Sequence, residues 1–171
     1  VAVYRAWLAA GGPAPSVVAG HSLGEYSALV AAGALSFADA VPLVRFRAQA
    51  MQEAVPAGEG AMAALLGLDP AIIDEVCAEA AQGQVVSAAN LNAPGQIVIA
   101  GATAAVERAM ALAKERGAKR AVPLPVSAPF HCALMRPAAE RLTERLQSVN
   151  IAAPSAAVVN NVDVAIETDP A

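Results

Sequence analysis

Short apolar runs that alternate with amphipathic stretches predict an α/β fold for this 171-residue chain. Two further observations sharpen that class. A serine stands in a G-x-S-x-G motif at a strand-to-helix junction, and the central stretch reads β-α-β-β-α-β. Composition agrees: 57% of residues are hydrophobic and 15% charged, which excludes disorder and suits buried sheet packed by alanine-rich helices.

Residues 1–10 read as a helix stopped by Gly11-Gly12-Pro13, and 16–19 as a short apolar strand. A helix follows over 22–32, with Gly33 as its stop. The next helix runs to about Val55, capped by Ser36 or Asp39. Pro42 favours the later start, because a proline in the first turn forfeits no hydrogen bond. The cluster "VPAGEG" (55–60) then breaks the pattern and marks a domain boundary. Beyond it come a strand (61–68), a helix (70–81), a strand (85–89), the turn-rich "NLNAPG" (90–95), a strand (96–100), a helix (103–116) ended by Gly117, and a strand (119–126). That succession is the ferredoxin-like order. The loop "SAPFHCALM", a helix over 137–149 and a strand over 157–162 complete the chain. Three segments result: 1–57, the first part of a larger α/β domain with the serine turn; 58–126, the ferredoxin-like subdomain; and 127–171, the second part of the larger domain, with His131.

Charge and cysteine content narrow the function classes. A net charge of −4 without a basic block argues against nucleic acid or an anionic membrane as partner. No run of about 18 uncharged apolar residues is present to span a bilayer. Cys77 and Cys132 lack metal-ligand spacing and suit a reducing cytoplasm, and with His21 and His131 the only histidines no histidine-based metal site is expected. The chain opens without an initiator methionine and closes just after a strand-like run, so both ends read as cuts through a longer protein.

Ser22 has two readings. Followed by Glu25 it fits S-x-x-E, a capping box that satisfies helix N–H groups. Within Gly20-His21-Ser22-Leu23-Gly24 it fits the sharp turn that exposes a nucleophilic serine at a helix N-terminus. Glycines on both sides favour the nucleophile, on the expectation that a Cβ at either place would collide with a neighbour. Glu25 is then free to bond back to the turn. A nucleophilic serine needs a base. His21 is adjacent but points elsewhere at such a turn, whereas His131 lies in a loop after Pro129-Phe130; an ordinary loop histidine is the competing reading. On the helix that holds them, Ala40, Leu43, Val44, Arg47 and Met51 share one face, opposite Arg45, Gln49 and Gln52. Arg47 is thus a cation on an apolar stripe, and it wants a carboxylate, from the protein or from a substrate.

The segments "GHSLGEYSALVAAGALSFADAVPLVRFRAQAMQEAVP", "AANLNAPGQIVIAG" and "VSAPFHCALM" together resemble the malonyl-CoA:acyl carrier protein transacylases, acyltransferases of fatty acid and polyketide synthesis. The resemblance covers essentially the whole chain and implies a hydrolase-like α/β domain interrupted by the ferredoxin-like subdomain. It implies that Ser22 carries the malonyl group as an ester and that His131 acts as base and then acid. It further implies the Leu23 N–H as an oxyanion donor, Arg47 as clamp for the malonyl carboxylate and Met51 in the acyl pocket. Phe130 matches a malonyl-preferring pattern. His21, Asn90 and Asn92 belong to the implied substrate site, the two asparagines on an asparagine-containing loop. Malonyl-CoA and acyl carrier protein are the implied partners of a monomeric cytoplasmic parent enzyme, with coenzyme A entering as part of the substrate and no bound cofactor or metal. Family members extend past both ends of this chain, upstream to a second oxyanion donor and downstream to a carbonyl that orients the histidine. Two alternatives stand beside this reading: an α/β-hydrolase-type esterase or thioesterase on the same motif, and a catalytically incomplete fragment that docks a carrier protein.

Overall fold

The computed structural model describes residues 1–169. In chain order its elements are α1 (Ala2–Ala9), β1 (Val17–Ala19), α2 (Leu23–Ala31), α3 (Phe37–Glu53), β2 (Gly60–Leu66), α4 (Pro70–Ala81) and β3 (Val86–Ala93). They continue with β4 (Gln96–Ala102), α5 (Thr103–Glu115), β5 (Arg120–Pro123), a single 3-10 turn (Ala133–Met135), α6 (Arg136–Leu146), β6 (Ala157–Val159) and β7 (Ile166–Glu167). The fold is mixed α/β. It divides into two compact units, Val1–Arg47 with residues from Glu144 onward, and Ala48–Thr143.

The middle unit holds a four-stranded sheet in the order β3-β4-β2-β5, every neighbouring pair antiparallel. The run "QIVIAGA" is almost continuously buried because both faces of β4 are covered. Ile97 and Ile99 meet Ile73, Val76 and Cys77 of α4 and Val106 and Ala109 of α5, whereas Val98 and Ala100 join Met62 on the other face. Leu65, Ile73, Ile97, Ile99, Val76 and Val106 are essentially fully buried, each worth about 1.5–3 kcal/mol. The small alanines on α4 and α5 let those helices lie close to the sheet. Arg108 of α5 closes the end of α4 by donating to the carbonyls of Ala80 (2.8 Å) and Ala81 (3.1 Å).

The other unit carries a three-stranded sheet, β1-β6-β7. β1 and β6 run parallel, with Val17 opposite Ala157 and Ala19 opposite Val159, and β7 is antiparallel to β6. Parallel pairing puts the C-terminal ends of β1 and β6 side by side. The approach to β6 is tied to the end of α2: the Ser155 N–H and hydroxyl both donate to the Ala32 carbonyl, at 2.7 and 2.8 Å, and the Ala152 N–H donates to that of Ala34. Gly33 takes a positive φ of 72° directly after α2, as its role as a stop requires.

Several expected bounds shift. α3 starts at Phe37, not at the later position that Pro42 suggested. The Ser36 hydroxyl accepts the Asp39 N–H at 3.0 Å and donates to the Asp39 carboxylate at 2.6 Å, and this cap outweighs the one hydrogen bond that Pro42 forfeits inside the helix. β5 and β6 are shorter than expected. β3 is longer, running through Ala93, so Asn90 and Asn92 lie on a strand and not in a loop. β3 is a sheet edge, and its register shifts between Ala88 and Asn90 and again between Leu91 and Ala93. There, polar residues sit on a strand without loss.

Candidate active site

The turn between β1 and α2 is built by close packing. A Cβ on Gly20 would lie 2.0 Å from the backbone C and O of Gly24 and 2.4 Å from the Glu25 nitrogen, so only glycine fits. Gly24 differs from expectation: a Cβ there meets nothing within 4 Å, and what matters is the approach of its backbone to Gly20. The Gly24 N–H donates to the His21 carbonyl at 2.8 Å and closes a tight turn with Ser22 at its second position. Ser22 has φ 52° and ψ −109°, the type II′ geometry that ordinarily selects glycine there. Holding a serine in it costs of order 1–3 kcal/mol, a strain that surrounding contacts must offset.

Those contacts show that Ser22 is not a helix cap. The Ser22 side chain makes no capping hydrogen bond to α2. Its Oγ instead accepts a hydrogen bond from Arg47 Nη2 at 2.9 Å. Glu25 does not close a capping box either. Its Oε1 accepts the Asn161 N–H at 3.1 Å, and the Ser22 N–H donates to Asn161 Oδ1 at 2.6 Å. Glu25 therefore reaches the turn through Asn161. Leu23 opens α2, and first-turn N–H groups have no acceptor within their own helix. The serine hydroxyl thus sits at the positive end of a helix beside a guanidinium.

Arg47 occupies the place its sequence position predicts. On α3, Ala40 and Leu43 are buried, Val44, Arg47 and Met51 half-buried, and Arg45, Gln49 and Gln52 exposed. The guanidinium carbon lies 5.8 Å from the centroid of the Tyr26 ring, one turn along α2 from the serine, within cation–π range. Burial pushes the Tyr26 phenol above the ordinary tyrosine range; Arg47 pulls the other way, and the nearby Glu25 charge adds to the rise. Tyr26 therefore stays neutral beside the cation.

The remaining residues fall as follows. His21 is exposed on the rim of an open hollow of about 310 Å³ that Gly20, Asn160 and Asn161 also line. In the middle unit, Met51 and Phe130 pack against one cluster of Val55, Ala128 and Met135. His131 is exposed and follows Phe130 with a φ of 62°, one of four non-glycine residues with positive φ among the described residues. Asn90 is half-buried and Asn92 exposed. Burial and the Asp74 charge push the Cys77 thiol up to about 11, and burial raises that of Cys132. Among the described residues, no group of three or more His, Cys, Asp or Glu side chains could hold a metal ion, and no helix is long and apolar enough to cross a membrane.

Sequence reasoning missed Asn161. Nothing in "VVNNVD" singles it out locally. The usable signal is topological: with β1 and β6 parallel and adjacent, the residues just after each strand must meet.

A strained serine at a strand-to-helix turn, with a cation on its hydroxyl, is the kind of site that performs acyl transfer. The chain belongs to the acyl transferase domain family, whose model matches residues 1–169. Its likeness is to one branch in particular. It is 62% identical over 169 residues to the malonyl CoA-acyl carrier protein transacylase of Escherichia coli K12, covering 99% of this chain and 55% of that protein. It is 56% identical to the transacylase of the same name from Bacillus subtilis, covering 94% and 51%. Among solved structures, the acyl-carrier-protein S-malonyltransferase of Burkholderia pseudomallei superposes with a TM-score of 0.96 at 63% identity, over 99% of this chain and 55% of that one. A malonyl-transacylase in complex with a type II polyketide acyl carrier protein superposes at 0.97 with 56% identity, over the same shares. The family resemblance carried by the motifs is borne out, and the chain spans about half the length of the curated relatives it matches.

Proposed function

We propose that the chain carries the nucleophile of a malonyl-CoA:acyl carrier protein transacylase. The observation that carries this reading is the 2.9 Å hydrogen bond from Arg47 to Ser22 Oγ at a strained turn. A guanidinium at the nucleophile fits an acyl group that itself bears a carboxylate. In the first half-reaction Ser22 Oγ attacks the thioester carbonyl of malonyl-CoA and His131 accepts the hydroxyl proton. The Leu23 N–H stabilises the oxyanion. The C–S bond breaks, His131 returns the proton to the coenzyme A sulfur, and a malonyl ester remains on Ser22. In the second half, the phosphopantetheine thiol of an acyl carrier protein gives its proton to His131 and attacks that ester; the ester C–O bond breaks, His131 returns the proton to Ser22 Oγ, and the malonyl group leaves as a thioester on the carrier. Coenzyme A is substrate, and the chemistry assigned here uses no bound cofactor. Arg47 pairs the malonyl carboxylate; Met51 and Phe130 supply apolar wall, and His21, Asn90 and Asn92 complete the substrate surroundings.

Within the middle unit, residues 58–126, with their β-α-β-β-α-β order, are the ferredoxin-like subdomain of this reading, and the β1-β6-β7 sheet is part of the hydrolase-like domain. The domain limits 1–57, 58–126 and 127–171 are retained as part of the proposal. So are a monomeric parent enzyme, a reducing cytoplasmic setting and the absence of nucleic acid or membrane partners.

The test is intact mass of the chain after brief exposure to malonyl-CoA, beside Ser22→Ala. A malonyl adduct on the wild type alone, discharged on addition of holo-acyl carrier protein, is the expected result. No adduct on a folded chain defeats the assignment. Discharge at the same rate without carrier points to a hydrolase instead.

A further inference from the structure

The bond from the Ser22 N–H to Asn161 joins residues 139 positions apart, and Asn161 grips the nucleophile turn at two points. Its side-chain oxygen takes the Ser22 N–H at 2.6 Å, and its own N–H is held by Glu25 Oε1 at 3.1 Å. The neighbouring Asn160 does different work. Its Oδ1 accepts the N–H groups of Val162 and Asp163, its Nδ2 donates to Glu167, and its N–H donates to the Ala165 carbonyl. Asn160 therefore builds the turn between β6 and β7, which leaves the Asn161 side chain for the serine. Asn161 is exposed and joins no hydrophobic cluster, so the fold does not depend on its bulk.

We propose that Asn161 is a positioning residue for acyl transfer: it fixes the peptide plane ahead of Ser22 and so holds the serine at its positive φ. Serine relaxes toward negative φ when nothing restrains it. That rotation swings the Cα–Cβ bond, carries Oγ away from Arg47 Nη2, and turns the adjoining Leu23 N–H off the point where an oxyanion would form. A hydrogen bond that orients a backbone in this way acts on the rate of attack and leaves recognition of the acyl carboxylate to Arg47. This inference rests on the transacylase reading, in which Ser22 is the nucleophile.

The experiment measures acylation of Ser22 in the full chain by rapid-quench mass spectrometry, with malonyl-CoA and, separately, with a fluorophosphonate probe. Asn161→Ala and Asn161→Leu remove the acceptor; Asn161→Asp keeps an oxygen in place. Losing one such hydrogen bond predicts acylation slower by about tenfold in the first two, with KM for malonyl-CoA moved less than about twofold. Asn161→Asp restores the rate to within about threefold of wild type on the same grounds. Wild-type rates in Asn161→Ala, an aspartate variant as slow as alanine, or a loss confined to KM overturn the positioning role. So does slowing that tracks a lost cooperative melt, because the role is then structural. If the wild type ignores malonyl-CoA but takes the fluorophosphonate, the transacylase reading fails, and the probe rates alone judge Asn161. If it takes neither, both fall.

Discussion

On the proposed transacylase reading, replacing Arg47 by alanine should separate recognition of the acyl carboxylate from the chemistry of transfer. Arg47 is half-buried on the apolar face of α3, and its Nη2 reaches Ser22 Oγ at 2.9 Å. A malonyl group on that oxygen brings its carboxylate to the same guanidinium. Truncating one member of a desolvated, hydrogen-bonded charge pair costs about 2–5 kcal/mol. Partial exposure screens this pair, so the low end applies, roughly 2–3 kcal/mol. That is about 30- to 150-fold in kcat/KM for malonyl transfer. Acetyl-CoA offers the guanidinium no partner. Its transfer loses only the resting contact between Arg47 and the serine, less than about tenfold. The assay follows radiolabelled malonyl and acetyl groups from coenzyme A to holo-acyl carrier protein, with wild type and Arg47→Ala in parallel. Selectivity for malonyl over acetyl should collapse by at least about threefold and by up to about 150-fold. Equal losses for the two acyl groups would refute the carboxylate pairing and leave Arg47 as a structural partner of Ser22.

Two further outcomes follow from the packing. Gly20→Ala should destabilise the chain by about 3 kcal/mol or more, since its methyl meets Gly24 backbone atoms at 2.0 Å, whereas Gly24→Ala faces open space and should stay within about 1 kcal/mol of wild type. Urea unfolding of both variants checks this, and similar losses for the two would contradict the geometry. Cys77 has a folded pKa of about 11 against 9.0 for the free thiol, so the unfolded chain releases that proton first. Its contribution to stability is constant below pH 9 and falls between pH 9 and 11, by on the order of 2–3 kcal/mol. Cys77→Ala should flatten the decline in urea midpoint over that window; an unchanged slope would show that the thiol does not titrate with unfolding.

How far the site could be read in advance depends on where each signal lies along the chain. α4 was legible to the residue, because Asp69-Pro70 starts it and Gln82-Gly83 ends it within one turn. Arg47 was legible because helical periodicity is local: a charge on an apolar stripe shows itself within a dozen residues. The strained serine was legible from its flanking glycines, although only Gly20 needs to be glycine on account of its own Cβ. β3 misled because polar asparagines and a Pro-Gly turn look like loop, and edge strands tolerate what central strands refuse. The early start of α3 was obscured because Pro42 points to a later start, whereas the Ser36 hydroxyl holds both the N–H and the carboxylate of Asp39. Asn161 was not legible at all. Its role comes from a parallel strand pairing between distant parts of the chain, and no local pattern encodes that register.

That pairing also sets an order of events during synthesis. The Ser22 turn is translated well before the strand beside it and the side chain that holds its backbone, which lies 139 positions further on. The middle unit, whose strands pair among themselves, can complete its own core while the serine segment still waits for β6. A nascent chain on the ribosome therefore carries the serine without the partner that shapes it until β6 and Asn161 have followed. A polypeptide stalled before residue 157 therefore holds the motif without the geometry.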